Sequence, residues 1–327
     1  MSGRVAVLAM LAASVVVIAG CGSVDNTAQR QALQALDNPH PAADTPAPST
    51  MVAPGCSDEK DALRSFAPAS AAPDPTTIPG PVMSRVRTAQ TLRVGVDDNT
   101  LGFGVRDPVT GELTGIEVEL ARGITRALLG DENKVTLVTV VTEEKVAYAA
   151  QNKVDLTIDA VSMSCARWGE VDFSSEYFTA QHTLLVRADS PINGLEDVGG
   201  RRVCVTKGSS SVDLLAKRAP TAKPRLRAFR TDCVRALQQG RVDAFLSHDS
   251  ILGSAVRQDP TLRIVDRPAQ AQHYGIAVPK GNVELVRSLN ALLEEWRRNG
   301  DLDRLDAATF GTAARPVPAA QYKDAAS

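Results

Sequence analysis

The sequence contains little of what metal sites and nucleic-acid interfaces need. Its 327 residues include four histidines and 4% aromatic residues, and 36 Lys and Arg against 38 Asp and Glu give a formal net charge of -2. Without a basic excess, the chain lacks the electrostatic pattern of a nucleic-acid-binding protein. No CxxC motif occurs, so a Cys/His zinc site has no support. We predict no metal, no cofactor and no nucleic-acid partner.

Sequence motifs of common hydrolases and dehydrogenases are missing as well. The chain has no Gly-x-Ser-x-Gly, no His-Glu-x-x-His and no dinucleotide-binding Gly-x-Gly-x-x-Gly. The Ser-x-x-Lys spacing of some acylating enzymes occurs at Ser57–Lys60. That match lies in a proline-rich stretch, where chance is the better explanation. The sequence therefore favours a binding protein over an enzyme.

Long hydrophobic runs are absent except near the start. Residues 5–20 form an apolar run of 16 residues after Arg4, which is short for a membrane-spanning helix and has the layout of an export signal. The run ends in Ile-Ala-Gly-Cys21, which resembles the lipobox of bacterial lipoproteins. The resemblance implies a signal peptide over 1–20 and a lipid anchor on Cys21, which would hold the mature protein outside the cytoplasm at the cell membrane. The alternative is an ordinary cleaved signal with an incidental cysteine.

Residues 21–88 differ in composition from the rest of the chain. Ala, Pro, Ser, Thr and Asp dominate, and ten of the 19 prolines fall between Pro39 and Pro81. Such a segment buries too little apolar surface to offset its ordering entropy, so we predict a tether, interrupted by a possible helical turn after Cys56. If Cys21 is lipidated, four cysteines remain, an even number that suits an oxidising compartment and allows three disulfide connectivities.

From residue 92 onward, short apolar strands alternate with helical patterns. Leu120, Ile124 and Leu128 recur at helical spacing, and a second series does so near residue 289. The alternation predicts an α/β fold with mainly parallel sheets covered by helices. Strands rich in β-branched residues are predicted at 92–96, 135–141, 154–158, 183–186, 202–205, 242–246 and 275–278.

Several motifs in this body occur in the order typical of one family. They are the strand and loop at 92–98, the Gly-Ile-Glu-Val-Glu-Leu-Ala stretch at 115–121, Lys-Val-Asp-Leu at 153–156, Ser-x-Ser-x-Ala-Arg at 162–167 and Val-Asp-Phe-Ser-Ser-Glu-Tyr at 171–177. Together they resemble the polar amino-acid-binding proteins of ABC importers, solute-binding family three, closest to the glutamine-, glutamate- and aspartate-binding members. The fourth motif fits the family pattern Thr-x-Thr-x-Glu-Arg.

The resemblance implies a two-lobed fold of the periplasmic-binding-protein type II class with two hinge-crossing strands. We expect the chain to cross near Val186–Asp189 and again near Gln272–Ile276. The expected boundaries are lobe one at 89–187 plus 275–313, lobe two at 188–274, and a C-terminal tail at 314–327.

The resemblance also assigns residues to an amino-acid site. Arg167 would grip the ligand α-carboxylate bidentately, as a planar guanidinium does best, with the carbonyl of Ala160 and the hydroxyl of Ser162 beside it. In the second lobe, Thr206 and Ser209 stand in a loop that presents backbone N–H groups. Asp249 would bind the ligand ammonium, a helix N-cap being the alternative role.

Selectivity for the ligand side chain is left open by the sequence. Thr142 and Lys145 align with a segment whose Arg pairs with the side-chain carboxylate in glutamate- and aspartate-binding relatives. Asp97 stands at a position that is acidic in glutamine-binding relatives and would disfavour a ligand carboxylate unless Lys145 neutralised it. The pair therefore permits Glu, Asp, Gln or Asn.

The remaining cysteines and the partners follow from the same resemblance. Cys204 lies in a second-lobe strand and Cys233 at the start of a nearby helix, so we predict the bond Cys204–Cys233 and, by elimination, Cys56–Cys165. The family implies an ABC permease as partner, while a membrane sensor protein is the alternative. Some relatives on this fold are dehydratases acting on cyclohexadienyl substrates, and this alternative leaves no distinctive spacing to test.

Overall fold

The computed structural model describes residues 55–69, 74–311 and 317–323. The predicted signal peptide, Cys21 and the tether as far as residue 54 lie outside the described residues. The described part folds into two α/β lobes, which confirms the predicted fold class. No helix in these ranges is long and apolar enough to cross a membrane.

The first lobe is built on a five-stranded sheet. In spatial order its strands are β6 (Val135–Thr139), β2 (Leu92–Val96), β7 (Leu156–Thr157), β15 (Ala277–Pro279) and β8 (Val171–Phe173). Strand β2 runs parallel to β6 and β7, while β15 runs antiparallel to β7 and β8. Because β15 comes from late in the sequence, two separate stretches of chain complete this sheet.

Helices cover the first sheet through the apolar faces expected from their spacing. Leu120, Ile124 and Leu128 are buried in one helix, and Leu289 and Leu293 in another. The first-lobe helices are α2 (Pro81–Ala89), α3 (Ile116–Leu129), α4 (Lys145–Ala150), α5 (Cys165–Glu170), α9 (Val283–Arg298) and α10 (Asp301–Phe310). A 3₁₀ turn at Glu132–Lys134 joins α3 to β6.

A small three-stranded sheet follows β2 and leads into α3. Its strands are β3 (Asn99–Thr100), β4 (Gly104–Arg106) and β5 (Leu113–Thr114). Gly115 stands at the junction with a φ of 127°, and a Cβ there would lie 2.2 Å from the carbonyl oxygen of Phe103. Only glycine fits this close approach.

The second lobe has a six-stranded mixed sheet. Five of its strands have the spatial order β11 (Lys223–Arg227), β10 (Arg202–Thr206), β12 (Ala244–His248), β9 (Phe178–Arg187) and β13 (Leu262–Ile264), and β14 (Gln270–Tyr274) also pairs with β9. The helices of this lobe are α6 (Ser210–Arg218), α7 (Arg230–Gln238) and α8 (Asp249–Gln258), with a 3₁₀ turn at Leu195–Val198.

The chain passes between the lobes at one expected place and one unexpected place. The return crossing lies between Tyr274 and Ala277, as predicted, because β14 ends in the second sheet and β15 begins in the first. The outward crossing does not lie near Val186–Asp189, since β9 pairs with second-lobe strands along its length. It lies at residues 174–177, where Tyr177 N donates to the carbonyl of Tyr274. Lobe two therefore begins near residue 178 rather than 188.

The tether prediction is wrong for the described residues between 55 and 88. Helix α2 buries Val82, Met83 and Val86 in the core of the first lobe. Its apolar residues stand at i, i+1 and i+4 after a Pro at the first helical position, which is a helix-start pattern. The high proline content around it concealed this pattern.

Residues Cys56–Phe66, which we call the N-terminal clasp, also belong to the first lobe. They contain helix α1 (Glu59–Leu63) and strand β1 (Arg64–Phe66). Strand β1 pairs in parallel with β16 (Gln321–Lys323). The predicted tail at 314–327 is therefore structured where it meets the clasp, and the two ends of the described chain lie side by side.

Both predicted disulfides are confirmed. Cys56 and Cys165 are bonded with their Cα atoms 5.4 Å apart, and Cys204 and Cys233 with theirs 5.6 Å apart. The first bond fixes the clasp to the start of α5. The second fixes α7 to strand β10.

The burial of α2 can be tested by truncating a core side chain. We expect Met83→Ala to lower the free energy of unfolding by about 2–5 kcal/mol, because it leaves a cavity in the first-lobe core. Ser84→Ala, one residue further along on the exposed side of the helix, should change it by less than about 0.5 kcal/mol. Urea denaturation of residues 50–327 measures both, and equal small effects would restore the tether interpretation.

Candidate functional site

A polar cleft lies where the two lobes meet. Its cavity volume is about 10 Å³, which is close to the space of a single water molecule, so the lobes are closed. Both lobes contribute to its walls. The lining residues are Lys145, Ala160, Ser162, Arg167, Thr206, Ser209, Ser210, Ser211, Arg230, Ser247, His248 and Ile251. Six of the nine residues predicted for ligand binding are among them.

The loop after β7 and the start of α5 hold Arg167 in the cleft. The hydroxyl of Ser164 accepts a hydrogen bond from Arg167 N and begins the helix. The Arg167 guanidinium donates to the carbonyl of Ser162 at 2.8 Å and, across the cleft, to that of Gly208 at 3.1 Å. Burial lowers the pKa of Arg167. A half-buried cation whose hydrogen bonds go to carbonyls is well placed to receive an anion.

Gly208 allows the second-lobe loop to approach this closely. Its φ is 71°, and a Cβ there would lie 2.5 Å from the Cα of Glu143 in the first lobe. Next to it, Lys207 Nζ pairs with the Glu143 carboxylate at 2.8 Å. Any other residue at 208 would hold the lobes apart at this point.

Lys145 lies beneath the cleft on α4 and does not contact Asp97. Its ammonium donates to the carbonyls of Asp159 at 2.7 Å and Ala160 at 3.0 Å. Burial lowers the pKa of Lys145 to about 8, against the attraction of Asp159. The expectation that Lys145 neutralises Asp97 is thus not met by the structure.

Arg230, which belongs to the second lobe, neutralises Asp97 instead. It begins α7 and pairs with the carboxylate of Asp97 at the end of β2, and its second terminal nitrogen is 3.2 Å from an oxygen of Asp159. Burial opposes the charge of Arg230, but the carboxylates of Asp97 and Asp159 outweigh it and raise its pKa. This ion pair joins the two lobes in the interior. Burial raises the pKa of Asp159, although Lys145 and Arg230 act in the opposite direction.

A further ionisable group, Glu117 of α3, lies close enough to Asp159 to be affected by its charge. Its Oε1 accepts from Ala160 N at 2.6 Å and from the Tyr177 hydroxyl at 2.7 Å. Burial first, and then the charge of Asp159, raise the pKa of Glu117 to about 8, so this carboxyl is mostly protonated at neutral pH. Ala160 has a φ of 42°, a left-handed conformation stabilised by this hydrogen bond.

Two buried histidines form a hydrogen-bonded group on the second-lobe side. His248 Nδ1 bonds to the Tyr274 hydroxyl, and His248 Nε2 is 3.2 Å from His182 Nε2. The Ser210 hydroxyl donates to Gln272 at 2.9 Å and lies 3.3 Å from both Nε2 atoms. Burial lowers the pKa of His182 to about 4 and that of His248 well below its usual range. Both imidazoles are neutral, with one donating to the other.

Thr206 and Ser209 reach the cleft as predicted. Ser209 donates its hydroxyl hydrogen to the carbonyl of Thr206 at 2.7 Å. The Thr206 hydroxyl is buried without a hydrogen-bond partner among the described residues. Ser162 Oγ and Ser210 Oγ, 3.2 Å apart, add a contact between the lobes.

Three predicted residues do not line the cleft. Asp97 is covered by Arg230, and Thr142 is buried beside α4 without lining the cavity. Asp249 Oδ1 accepts from Ser250 N and from Gln181 N, and its side chain lines a separate cavity of about 360 Å³. The structure thus corrects the ammonium-binding role of Asp249. It is His248, the last residue of β12, that lines the cleft, whereas Asp249 begins α8.

The sequence analysis missed Arg230, Ser210 and His248. His248 stands next to Asp249, so the segment was found but the neighbouring residue was chosen. Ser210 lies in the predicted second-lobe loop. Arg230 had no local signal, because its partners Asp97 and Asp159 are more than 70 residues away. The need of buried Asp97 for a cation was the available clue.

The fold and the cleft together define a two-lobed protein that closes over a small polar site. The sequence profile of the bacterial extracellular solute-binding proteins, family 3, matches residues 92–312. A glutamine-binding protein of Geobacillus stearothermophilus is 31% identical over 208 residues, which cover 63% of this chain and 79% of that protein. This chain belongs to the bacterial extracellular solute-binding proteins of family 3.

Solved structures agree with this membership. A cysteine-binding protein of Campylobacter jejuni has a TM-score of 0.68 at 25% identity, covering 71% of this chain and 94% of its own. An ancestral amino acid-binding protein, a precursor of cyclohexadienyl dehydratase, has a TM-score of 0.65 at 26% identity, covering 69% and 98%. Both similarities extend over the two lobes.

The ion pair of Arg230 with Asp97 predicts a change in lobe closure. In Arg230→Met, the buried carboxylates of Asp97 and Asp159 lose their shared cation, at a cost of about 3–5 kcal/mol in the closed form. We expect the lobes to open and the radius of gyration of the ligand-free protein to rise in small-angle X-ray scattering. Arg235→Met, on the exposed side of the same helix, is the control. An unchanged radius in both variants would contradict the role of Arg230.

The buried histidines predict a loss of stability in acid. An unfolded histidine binds a proton near pH 6.5, whereas burial in the folded protein lowers the pKa of His182 to about 4. Stability is therefore full above about pH 6.5 and falls as the pH decreases towards 4, by roughly 3 kcal/mol for this one group. Urea denaturation across this range measures it. His182→Gln should reduce the slope, and a slope identical to that of the wild type would count against this assignment.

Proposed function

We propose that this protein is an extracytoplasmic receptor that closes its lobes on one polar amino acid, namely glutamate, aspartate, glutamine or asparagine. The observation that carries the proposal is Arg167, a half-buried guanidinium in the closed cleft whose hydrogen bonds go to two backbone carbonyls. An α-carboxylate would supply the anion that this guanidinium lacks among those partners. The hydroxyls of Ser162, Thr206 and Ser209 stand around it as further hydrogen-bonding groups.

The balance of charge supports an acidic ligand over an amide. Lys145, Arg167 and Arg230 bring three cations to the cleft, against the carboxylates of Asp97 and Asp159. Glu117 adds little charge at neutral pH, because its pKa is raised to about 8. The lining itself contains these three cations and no carboxylate, and glutamate or aspartate would supply a carboxylate there, although Asp213 and Glu170 also act on Arg167. Asp159 does not line the cavity, but it has one oxygen buried without a partner among the described residues, which makes it a better candidate for the ligand ammonium than Asp249, which lines the other cavity.

Relatives support the chemical class of the ligand. The proteins similar to this chain carry names as binders of glutamine, of glutamate, of cystine, of arginine and, in one case as probable, of histidine. By this proposal the receptor is a lipoprotein anchored through Cys21, which delivers its ligand to an ABC permease or reports occupancy to a membrane sensor protein. Closure would present the partner with a surface that the open form lacks.

A second function deserves one test because of the similarity to the dehydratase precursor. A cyclohexadienyl substrate also carries a carboxylate that Arg167 could bind. Incubation of the protein with such a substrate, followed by absorbance of the aromatic product, decides this alternative. Turnover that Arg167→Ala abolishes would favour the enzyme, whereas the absence of product would favour the receptor.

The ligand can be identified by measuring the thermal shift of residues 50–327 in the presence of each of the twenty amino acids. A ligand at 100 times its dissociation constant should stabilise by about 2.7 kcal/mol. Arg167→Ala should weaken binding of every responding amino acid by about 2–5 kcal/mol in titration calorimetry, because a buried carboxylate is left unpaired. Arg126→Ala, on an exposed ion pair of α3, should have no effect. No response from any amino acid would overturn the proposal.

A further inference from the structure

Helix α5, which carries Arg167, is too short to hold its own position. It has six residues, Cys165–Glu170, and a helix of this length is not stable without tertiary contacts. Its guanidinium must nevertheless meet two carbonyls from different lobes, those of Ser162 and Gly208. Bidentate recognition by arginine depends on its orientation. The contacts that fix α5 therefore determine the geometry of the cleft.

The N-terminal clasp, Cys56–Phe66, supplies several of these contacts, beside those of Phe173 and Lys280 with Trp168. Cys56 is bonded to Cys165, two residues before Arg167. One residue after Arg167, the Trp168 indole donates to the carbonyl of Ala62 at 2.8 Å. The Trp168 side chain is 1% exposed, and its ring meets that of Phe66 edge-on at 6.0 Å between centroids.

The clasp is in turn fixed to the rigid part of the first lobe. The Ser65 hydroxyl donates to the carbonyl of Phe173 on β8 at 2.7 Å and accepts from Asn290 of α9 at 2.8 Å. It also meets the second lobe, since Gln270 of β14 donates to the Glu59 carboxylate. The clasp thus contacts both α5 and β14, the strand that ends where the chain returns to the first lobe.

We propose that the N-terminal clasp is a positioning element for Arg167 and so a determinant of ligand affinity, although it does not touch the cleft. The proposal rests on the amino-acid-binding function proposed above. The clasp acts through α5: the disulfide and the Trp168 hydrogen bond hold the backbone on either side of Arg167. Loss of the clasp should therefore weaken the grip on the carboxylate without unfolding the lobes.

The test compares two proteins. The first, the clasp variant, combines Cys56→Ser and Cys165→Ser, and the second carries Met83→Ala alone. Met83 lies in a different hydrophobic cluster of the same lobe, so its truncation lowers stability without loosening α5. L-Glutamate, L-aspartate, L-glutamine and L-asparagine are each titrated into the proteins, at a temperature where circular dichroism shows all of them folded. We expect the clasp variant to bind about ten-fold more weakly, roughly 1.4 kcal/mol, and Met83→Ala to bind like the wild type.

A double-mutant cycle with Arg167→Ala separates positioning from general destabilisation. If the clasp acts through Arg167, breaking the disulfide should cost no further affinity once the guanidinium is gone. Wild-type affinity in the clasp variant, or an equal loss in the Arg167→Ala background, would overturn the proposal. Trp168→Phe, which removes the hydrogen bond to Ala62 but keeps a ring, provides the same cycle if the serine variant does not fold.

Failure of the proposed function is distinguishable from failure of this inference. If the wild type binds none of the four amino acids, the proposed function is wrong, and amide hydrogen exchange of the ligand-free proteins decides the positioning role. Faster exchange of residues 165–170 in the clasp variant than in Met83→Ala would support it. Equal exchange would refute it.

Discussion

The guanidinium of Arg230, buried between two carboxylates of the other lobe, is the interaction on which the closed form depends. A buried charge is tolerated only when it is paired. Here the cation lies on the second lobe and its two carboxylate partners lie on the first. The surrounding contacts follow from that approach, including Arg167 with Gly208 and Ser162 with Ser210. A charged ligand would form further ion pairs with groups of both lobes. Because these pairs exist only when the lobes are closed, the ligand would bind the closed form more tightly and so favour it.

Local patterns predicted the parts of the fold that are local. Strand β2 lies at 92–96 as predicted, and the helical spacing found α3 and α9, because one face of each is buried and the period of the sequence records it. The motif ending in Arg167 placed the first-lobe side of the cleft. The cysteine pairing was also predictable, since a strand and the helix beside it limit the possibilities.

Features that depend on distant contacts were not predictable in the same way. Arg230 lies in a segment without a motif, and its two partners follow other strands. Composition concealed α2 and the N-terminal clasp. Prolines mark the turns between these elements, while Val82, Met83 and Val86 of α2 are buried and Phe66 of the clasp is partly buried. For Asp249, the correct segment was found, but the strand ends at His248 and the helix begins at Asp249, so the two neighbours lie in different elements.

The pairing of β1 with β16 has a consequence for how the protein is made. The first lobe takes its sheet, its helices and this two-stranded edge from both ends of the described chain, whereas the second lobe is one uninterrupted stretch. During synthesis, the second lobe has all its strands before the first lobe receives β15. Contacts so far apart in sequence form slowly, so the last part of the chain to emerge completes the lobe that emerged first.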